Sequence, residues 1–330
     1  METKYLQFNS EHLSLAGELI RKGCLVAFPT ETVYGLGANA LDAQAVNSIY
    51  VAKGRPSDNP LIAHVYTKSQ IYEIAREVSD DAEKIIQAFM PGSITIVLPK
   101  KDIVPDAVTA GLNTVAIRMP KSQQAREFLR YARVPVAAPS ANVSGRPSPT
   151  SWQRVRDDMD GRIAAILCGE ECEVGIESTV LDLSGAKPLI LRPGFVTPEQ
   201  IEQVLGKSVE VVLNPKSKVN SPGVRYRHYA PKVPMALETG GDVAKLTAYY
   251  DGLAKQGFSP VLLVEQPQLY GNRACFSIGD SDEQVARSLF ENLRILEERY
   301  DYIIASFTSR TAFGQSILNR LVRAAGNNLI

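Results

Sequence analysis

Two periods of hydrophobic and polar positions alternate along most of this chain. From His12 to Lys22 the apolar residues Leu13, Ala16, Leu19 and Ile20 recur at helical spacing, with Ser10 as the expected N-cap. Cys24–Phe28 is a short unbroken apolar run, the pattern of a buried strand. Ala43–Ala52 predicts a helix. Leu61–Val65, Ile94–Leu98, Val115–Ile117, Val134–Ala138, Ala164–Leu167, Thr179–Leu183 and Leu189–Leu191 predict strands. Pro198–Leu205 predicts a short helix with proline near its start. Strands and helices interleave, so the class is α/β, and the irregular crossovers predict a mixed sheet.

The pattern breaks at Asn214–Lys232, NPKSKVNSPGVRYRHYAPK. This stretch carries Lys216, Lys218, Arg225, Arg227 and Lys232 with no acid, and its prolines give it the composition of a linker. Beyond it the rhythm turns regular. A helix is predicted over Asp242–Gln256, strands over Pro260–Val264 and Ala274–Ile278, and a long helix over Asp282–Arg299. A strand over Tyr302–Phe307 and a helix over Gly314–Ala325 complete it. That is a small three-layer, Rossmann-like α/β domain without a Gly-rich fingerprint. The expected division is therefore 1–213, a linker at 214–232, and 233–330.

Composition changes the picture in three ways. A length of 330 residues exceeds a comfortable single core and predicts about two domains. Lys plus Arg equals Asp plus Glu at 36 each, so any basic surface is local, and a broadly basic nucleic-acid binder is disfavoured. Cys24, Cys168, Cys172 and Cys275 lack the spacing and the histidines of a zinc site, so no metal site is expected and the thiols read as those of a reduced cytoplasmic protein. No targeting pattern opens the chain, and no apolar run approaches the roughly 18 residues of a membrane span.

Candidate chemistry lies in loops that follow short strands: FPTETVYGLG at Phe28–Gly37, KGRPSDNPL at Lys53–Leu61 and SANVSGRPSPT at Ser140–Thr150. Within them, GLGANA at Gly35–Ala40 fits G-x-G-x-x-A. PTETVY separates it from its strand, so it reads as a turn with incidental glycines rather than a dinucleotide loop. Gly206-Lys207-Ser208 resembles the end of a P-loop, but Ile201 stands where the first glycine is required, so a helix end is expected. Lys53, Arg55, Arg118 and Arg192 each adjoin a Pro or Gly-Pro loop. Such residues are usually solvated singly. Together at one sheet edge they would grip a ligand with more than one anionic group. Ser140, Asn142, Ser144 and Ser148 form either a polar turn capping the helix near Trp152 or a cradle for phosphate oxygens. His64, inside LIAHV, is a core histidine or a ligand contact. Thr30, Glu31 and Thr32 cap the next element or bind a small polar substrate.

Taken in order, PTETVYGLG, KGRPSDNPL, TVAIRMP, APSANVSG, ESTVLDLS, LRPG and SPGVRYRHYAP make the chain resemble the threonylcarbamoyl-adenylate synthases in their two-domain form. The resemblance runs over nearly the whole chain, with Val224 where the family usually has Met. It implies a YrdC-type twisted mixed sheet with helices, followed by a smaller Rossmann-like α/β domain. It implies a reaction of L-threonine, bicarbonate or CO2, and ATP that gives threonylcarbamoyl-AMP and pyrophosphate. Downstream proteins would then transfer the group to tRNA. Thr32, His64, Arg118, Ala138 (through its backbone) and Ser178 are implied as threonine contacts. Lys53, Arg55, Asn59, Thr114, Ser140, Asn142, Ser148, Arg192 and Tyr229 are implied as contacts to ATP, with Mg2+ held mainly by phosphates. No general base is assigned, since the carbamate carries its own nucleophilic oxygen. The linker is expected to act as a lid. Two other readings fit parts of the pattern: an RNA-binding module without chemistry, and a carbamoyl-adenylate-forming enzyme related to carbamoyl-phosphate chemistry. A nicotinamide enzyme fits poorly, for the loop reason above.

Overall fold

A computed structural model describes residues 2–212 and 228–330. The expected lid at 214–232 therefore lies largely outside the described residues. The chain forms two compact units. One holds the described residues up to Ser144 and 149–212; the other holds Gly145–Ser148 and 228–330.

The first unit begins with β1 (Lys4–Leu6), α1 (Ser10–Arg21), β2 (Val26–Phe28) and β3 (Gly35–Asn39). Next come α2 (Ala43–Lys53), β4 (Ile62–His64), α3 (Lys68–Ile74) and α4 (Asp80–Phe89). Then β5 (Ile94–Pro99), α5 (Asp106–Thr109), β6 (Thr114–Arg118) and α6 (Gln123–Ala132) lead to β7 (Val136–Ala137) and α7 (Trp152–Met159). The unit ends with β8 (Ala165–Leu167), β9 (Thr179–Asp182), β10 (Leu189–Arg192), α8 (Pro198–Leu205) and β11 (Glu210–Val211). Local chemistry fixes several boundaries. Asn9, not Ser10, caps α1, because its side-chain oxygen accepts from the His12 N–H at 2.9 Å while Ser10 is already helical. Thr197 and Gln200 form a capping box on α8, and Gly206 ends it in the left-handed region at φ 68°, as the helix-end reading of Gly206-Lys207-Ser208 requires.

GLGANA corrects the sequence reading. It is strand β3, antiparallel to β2, with PTETVY as the connecting loop. The glycines are needed for packing rather than for a turn. A Cβ at Gly37 would lie 2.8 Å from Val136 Cγ1, and one at Gly35 would lie 3.1 Å from the Phe28 ring.

The strands join in the order β1-β8-β2-β3-β7-β4-β6-β5-β9-β10-β11, with parallel and antiparallel neighbours mixed. Alternation along each strand sorts side chains to two faces. Ala27, Leu36, Ala63, Ile96, Ile117, Ala137 and Leu181 face the large core beneath α2, α3, α4 and α8. On the other face, Val26, Phe28, Val136 and Ala138 pack under Leu13, Ala16, Phe128 and Leu129 of α1 and α6. Further along that second face, a small separate apolar group remains, comprising Ile62, Val97, Ala116, Val180 and Leu191.

In the second unit, β12 (Met235–Glu238), α9 (Val243–Lys255), β13 (Pro260–Val264), a 3-10 turn at Pro267–Tyr270, β14 (Cys275–Ser277), α10 (Asp282–Glu297), β15 (Tyr302–Ser306) and α11 (Ala312–Ala324) follow in order. The strands form a parallel sheet, β12-β15-β13-β14, with its own core around Leu246, Leu262, Ile304 and Tyr302. The segment Gly145–Ser148 groups with this unit. Arg294 donates to the Pro147 carbonyl at 2.6 Å, and Arg146 pairs with Glu297.

Candidate functional site

The site grows from the register of the central strands. Parallel pairing of β4 with β6 sets Ile62 beside Ala116 and His64 beside Arg118, so these four side chains share one face. Antiparallel pairing of β5 with β6 brings Val97 to Ala116, and Thr95, two residues back, takes the same face beside Arg118. Val180 of β9 is the register partner of Thr95. This is the face where the apolar group around Ile62 and Ala116 lies apart from the main cores. The apolar residues form a floor, and the polar residues crowd its ends.

At one end stands a connected buried polar network. Arg118 Nη2 donates to Glu31 Oε1 at 2.8 Å, and Nη1 donates to Thr32 Oγ1 at 2.7 Å. Ser93 Oγ donates to the same Glu31 oxygen at 3.2 Å, and the Ser122 N–H donates to Oε2 at 3.4 Å. The Thr30 and Thr32 hydroxyls pair at 2.9 Å, which closes the PTET loop on itself. Ser178 and Thr95 share a hydroxyl hydrogen bond at 2.8 Å. Arg192 donates to the Ser178 carbonyl through Nε at 3.0 Å and to its hydroxyl through Nη2 at 3.2 Å. His64 Nδ1 lies 3.1 Å from the Ile62 carbonyl, and its ring meets Phe28 edge-on.

Electrostatics follows from that burial. Loss of water, reinforced by the Arg118 charge, lowers the His64 pKa to about 3, so the imidazole is neutral at ordinary pH. Burial pushes the Glu31 carboxyl up, but the charge and hydrogen bond of Arg118 together with backbone N–H groups outweigh it, and the group stays below its ordinary range. Within this end the guanidinium and the carboxylate cancel. Arg118 Nε is buried without a hydrogen-bond partner.

The opposite end is built by loops. Thr114 opens β6, four residues from Arg118, which is about 13 Å along an extended strand. Asn59 precedes β4, is 1 % exposed, and has neither Oδ1 nor Nδ2 hydrogen-bonded. Its carbonyl accepts from Tyr50 at 3.2 Å and from Arg55 Nη2 at 3.3 Å. Lys53, buried at the end of α2, donates to the Ser140 carbonyl at 2.5 Å and to the Asn142 carbonyl at 2.6 Å. Ser140 Oγ donates to Asn142 Oδ1 at 2.5 Å. Ala138 uses its own N–H on the Ile62 carbonyl at 2.8 Å.

The four cations Lys53, Arg55, Arg118 and Arg192 do not all stand at one end of the strands. Arg118 and Arg192 stand at one end of the strands, whereas Lys53, closing α2, and Arg55, in the loop after it, stand toward the other. Strands of both directions meet in this sheet, so successive loops leave from opposite ends. The named residues of the first unit lie along a face, with Thr32, His64, Arg118, Ser178 and Arg192 at one end and Arg55, Asn59, Thr114, Ser140 and Asn142 toward the other. Ser148 and Tyr229 belong to the second unit, where the buried Tyr229 ring stacks on Phe290 at 5.1 Å. Glu31 was read from the sequence only as a cap or a contact to a small polar substrate, and Ser93 and Thr95 were not singled out. A buried acid in a loop after a strand was the available signal for Glu31. The two hydroxyls carry none, because their face is known only from the register.

Comparisons with known proteins converge. Residues 18–194 match the family model described as "Telomere recombination", and residues 196–326 match "Threonylcarbamoyl-AMP synthase, C-terminal domain". The threonylcarbamoyl-AMP synthase of Bacillus subtilis is 43 % identical over 99 % of this chain and 97 % of its own length. That of Pyrococcus abyssi is 41 % identical over 96 % of this chain and 95 % of its own. The crystal structure of P. abyssi Sua5 complexed with L-threonine superposes with a TM-score of 0.93, at 38 % identity, covering 100 % of this chain and 99 % of that one. With both family models in sequence and full-length relatives at this identity, the chain belongs to the two-domain threonylcarbamoyl-AMP synthase family.

Proposed function

We propose that this chain joins L-threonine, bicarbonate or CO2, and ATP into threonylcarbamoyl-AMP, releasing pyrophosphate. The observation that carries the reading is the polarity of the strand face in a chain of this family. One end holds a guanidinium with neighbouring hydroxyls and a neutral imidazole, a set suited to the carboxylate and side chain of an amino acid. Toward the other end lie Arg55, Thr114, the hydroxyl loop at Ser140–Asn142, and Asn59, whose buried amide has donor and acceptor capacity to spare. That set suits a nucleotide.

The chemistry asks the protein mainly to position its substrates. The neutral threonine amine attacks the carbon of CO2 and gives up a proton to solvent, leaving a carbamate. A carbamate oxygen then attacks the α-phosphorus of ATP, and the bond to the bridging α–β oxygen breaks as pyrophosphate leaves. Thr32, His64, Arg118, Ser178 and the Ala138 backbone hold the amino acid. Arg55, Asn59, Thr114, Ser140, Asn142 and Arg192 hold ATP. Lys53 acts through its grip on the carbonyls of Ser140 and Asn142 and so shapes the phosphate loop. Among the described residues no group of three or more His, Cys, Asp or Glu is placed to hold a metal ion. Mg2+ would enter as a companion of the phosphates and neutralise their charge. Transfer of the threonylcarbamoyl group to adenosine beside the anticodon of tRNA falls to downstream proteins. No helix of the described residues is long and apolar enough to cross a membrane. The cytoplasmic setting proposed for the chain rests on its four free cysteines.

Mass spectrometry of the product formed from ATP, bicarbonate and L-threonine tests the reading. Threonylcarbamoyl-AMP is expected, with pyrophosphate release that needs both threonine and bicarbonate and no RNA. Release with carbamoyl phosphate alone would favour carbamoyl-adenylate chemistry. No release with any of them would leave an RNA-binding module.

A further inference from the structure

Arg118 is not alone when it meets its ligand. Glu31 and Arg118 are each 4 % exposed and form a direct ion pair at 2.8 Å. The carboxylate is itself held on both oxygens, by Arg118 and Ser93 on one and by the Ser122 N–H on the other. The guanidinium is held on Nη1 by Thr32 and retains Nε for a further acceptor. The neighbouring His64 ring is kept uncharged by the same burial. The Glu31–Arg118 pair is therefore neutral as a unit before any ligand arrives.

We propose that Glu31 is a specificity-determining residue that makes the amino-acid subsite select a zwitterion: it cancels Arg118 within the fold, so one ligand carboxylate is accepted and a second negative charge is refused. The inference rests on the reading that Arg118 takes the amino-acid carboxylate. A zwitterion adds no net charge beside that pair. A dicarboxylic amino acid would place a net negative charge beside a buried carboxylate, where screening is weak. Without Glu31 the guanidinium is an uncompensated buried cation, and the more negative ligand becomes the better one. Glu31 also fixes the plane of the guanidinium, so its loss weakens threonine binding as well.

Asparagine and aspartate, nearly identical in shape and different by one charge, isolate the effect. Calorimetric competition against L-threonine on the full-length protein is expected to rank asparagine above aspartate in the wild type. In Glu31→Gln the threonine Kd is expected to rise about tenfold, the loss of one charge-assisted contact. The asparagine-to-aspartate preference should invert in the same variant, with affinity for a non-hydrolysable ATP analogue unchanged. Glu31→Asp, which keeps the charge, should weaken threonine binding and keep the preference. A folded Glu31→Gln variant with the wild-type preference overturns the proposal. Should that variant not fold, the wild type still decides: aspartate competing no worse than asparagine overturns it. Failure of the wild type to bind threonine is the separate outcome that removes the subsite reading itself.

Discussion

Two buried residues show how a single side chain can be costly to the fold and useful to the site. Asn59 leaves both polar atoms of its amide unsatisfied inside the protein. Such a group costs about 1–3 kcal/mol when no partner compensates its lost water. Asn59→Leu is expected to leave stability unchanged or raise it while weakening binding of an ATP analogue, measured by urea unfolding and calorimetry on the same sample. A clear loss of stability would mean that the amide has a structural partner instead. His64 carries the second cost. Its pKa is near 3 when folded and near 6.5 when unfolded, so the unfolded chain takes up the proton first. Stability from this residue is complete above pH 6.5 and is lost as pH falls toward 3. Between pH 7 and pH 5 the loss is about 2 kcal/mol. In His64→Gln the unfolding free energy should fall by that much less over the same interval; an equal fall in both proteins would show that the ring is not held neutral. The sequence made His64 visible as a polar residue inside an apolar run and Arg118 as a cation beside a proline, while Asn59 was implied only by the family resemblance. It kept Ser93 and Thr95 hidden, because a hydroxyl on a strand declares itself only when the register shows which face it joins.

Short elements build the site, and their junctions matter more than their lengths. Arg192, ending β10, donates to both the carbonyl and the hydroxyl of Ser178, just ahead of β9. One residue is read as a nucleotide contact and the other as a threonine contact, so the two subsites touch through a single pair. Binding of threonine and of a non-hydrolysable ATP analogue is therefore expected to be mutually favourable, by about fivefold or more. Arg192→Lys, which loses the planar fork, should bring that factor close to one; an undiminished factor would place the coupling elsewhere. Away from the site, α1 and α6 approach so closely that a Cβ at Gly17 would sit 2.3 Å from the Tyr131 carbonyl oxygen. Gly17→Ala should destabilise the protein by about 1–3 kcal/mol in urea unfolding despite alanine's better helix propensity. Legibility at this scale followed periodicity. The apolar runs of β4, β5, β6, β8, β9 and β10 are plain in the sequence, as are most helices of the second unit. GLGANA misled because a glycine-rich run reads as a turn, whereas here the missing side chains make room for Phe28 and Val136. Which loops leave from which strand ends was equally invisible, so the sequence left open whether the four cations converge.

At the scale of the molecule, two α/β units invite the idea of two nucleotide sites, since parallel Rossmann-like sheets commonly bind phosphate where a strand runs into a glycine turn. The second unit has such a turn after β12, and it fills that turn from within. Glu238 is buried, and its carboxylate accepts from the Gly240 and Gly241 N–H groups, each at 2.7 Å, and from Ser306 Oγ at 3.0 Å. The backbone donors that would receive a phosphate are thus already committed to an internal anion. A phosphate brought here would also meet its like charge at close range. Titration of a non-hydrolysable ATP analogue into the full-length protein should therefore saturate at one site per chain. In Asn59→Leu that site should weaken with none left behind at wild-type affinity. A second equivalent, or a residue of tight binding in that variant, would show that the turn after β12 takes nucleotide despite Glu238.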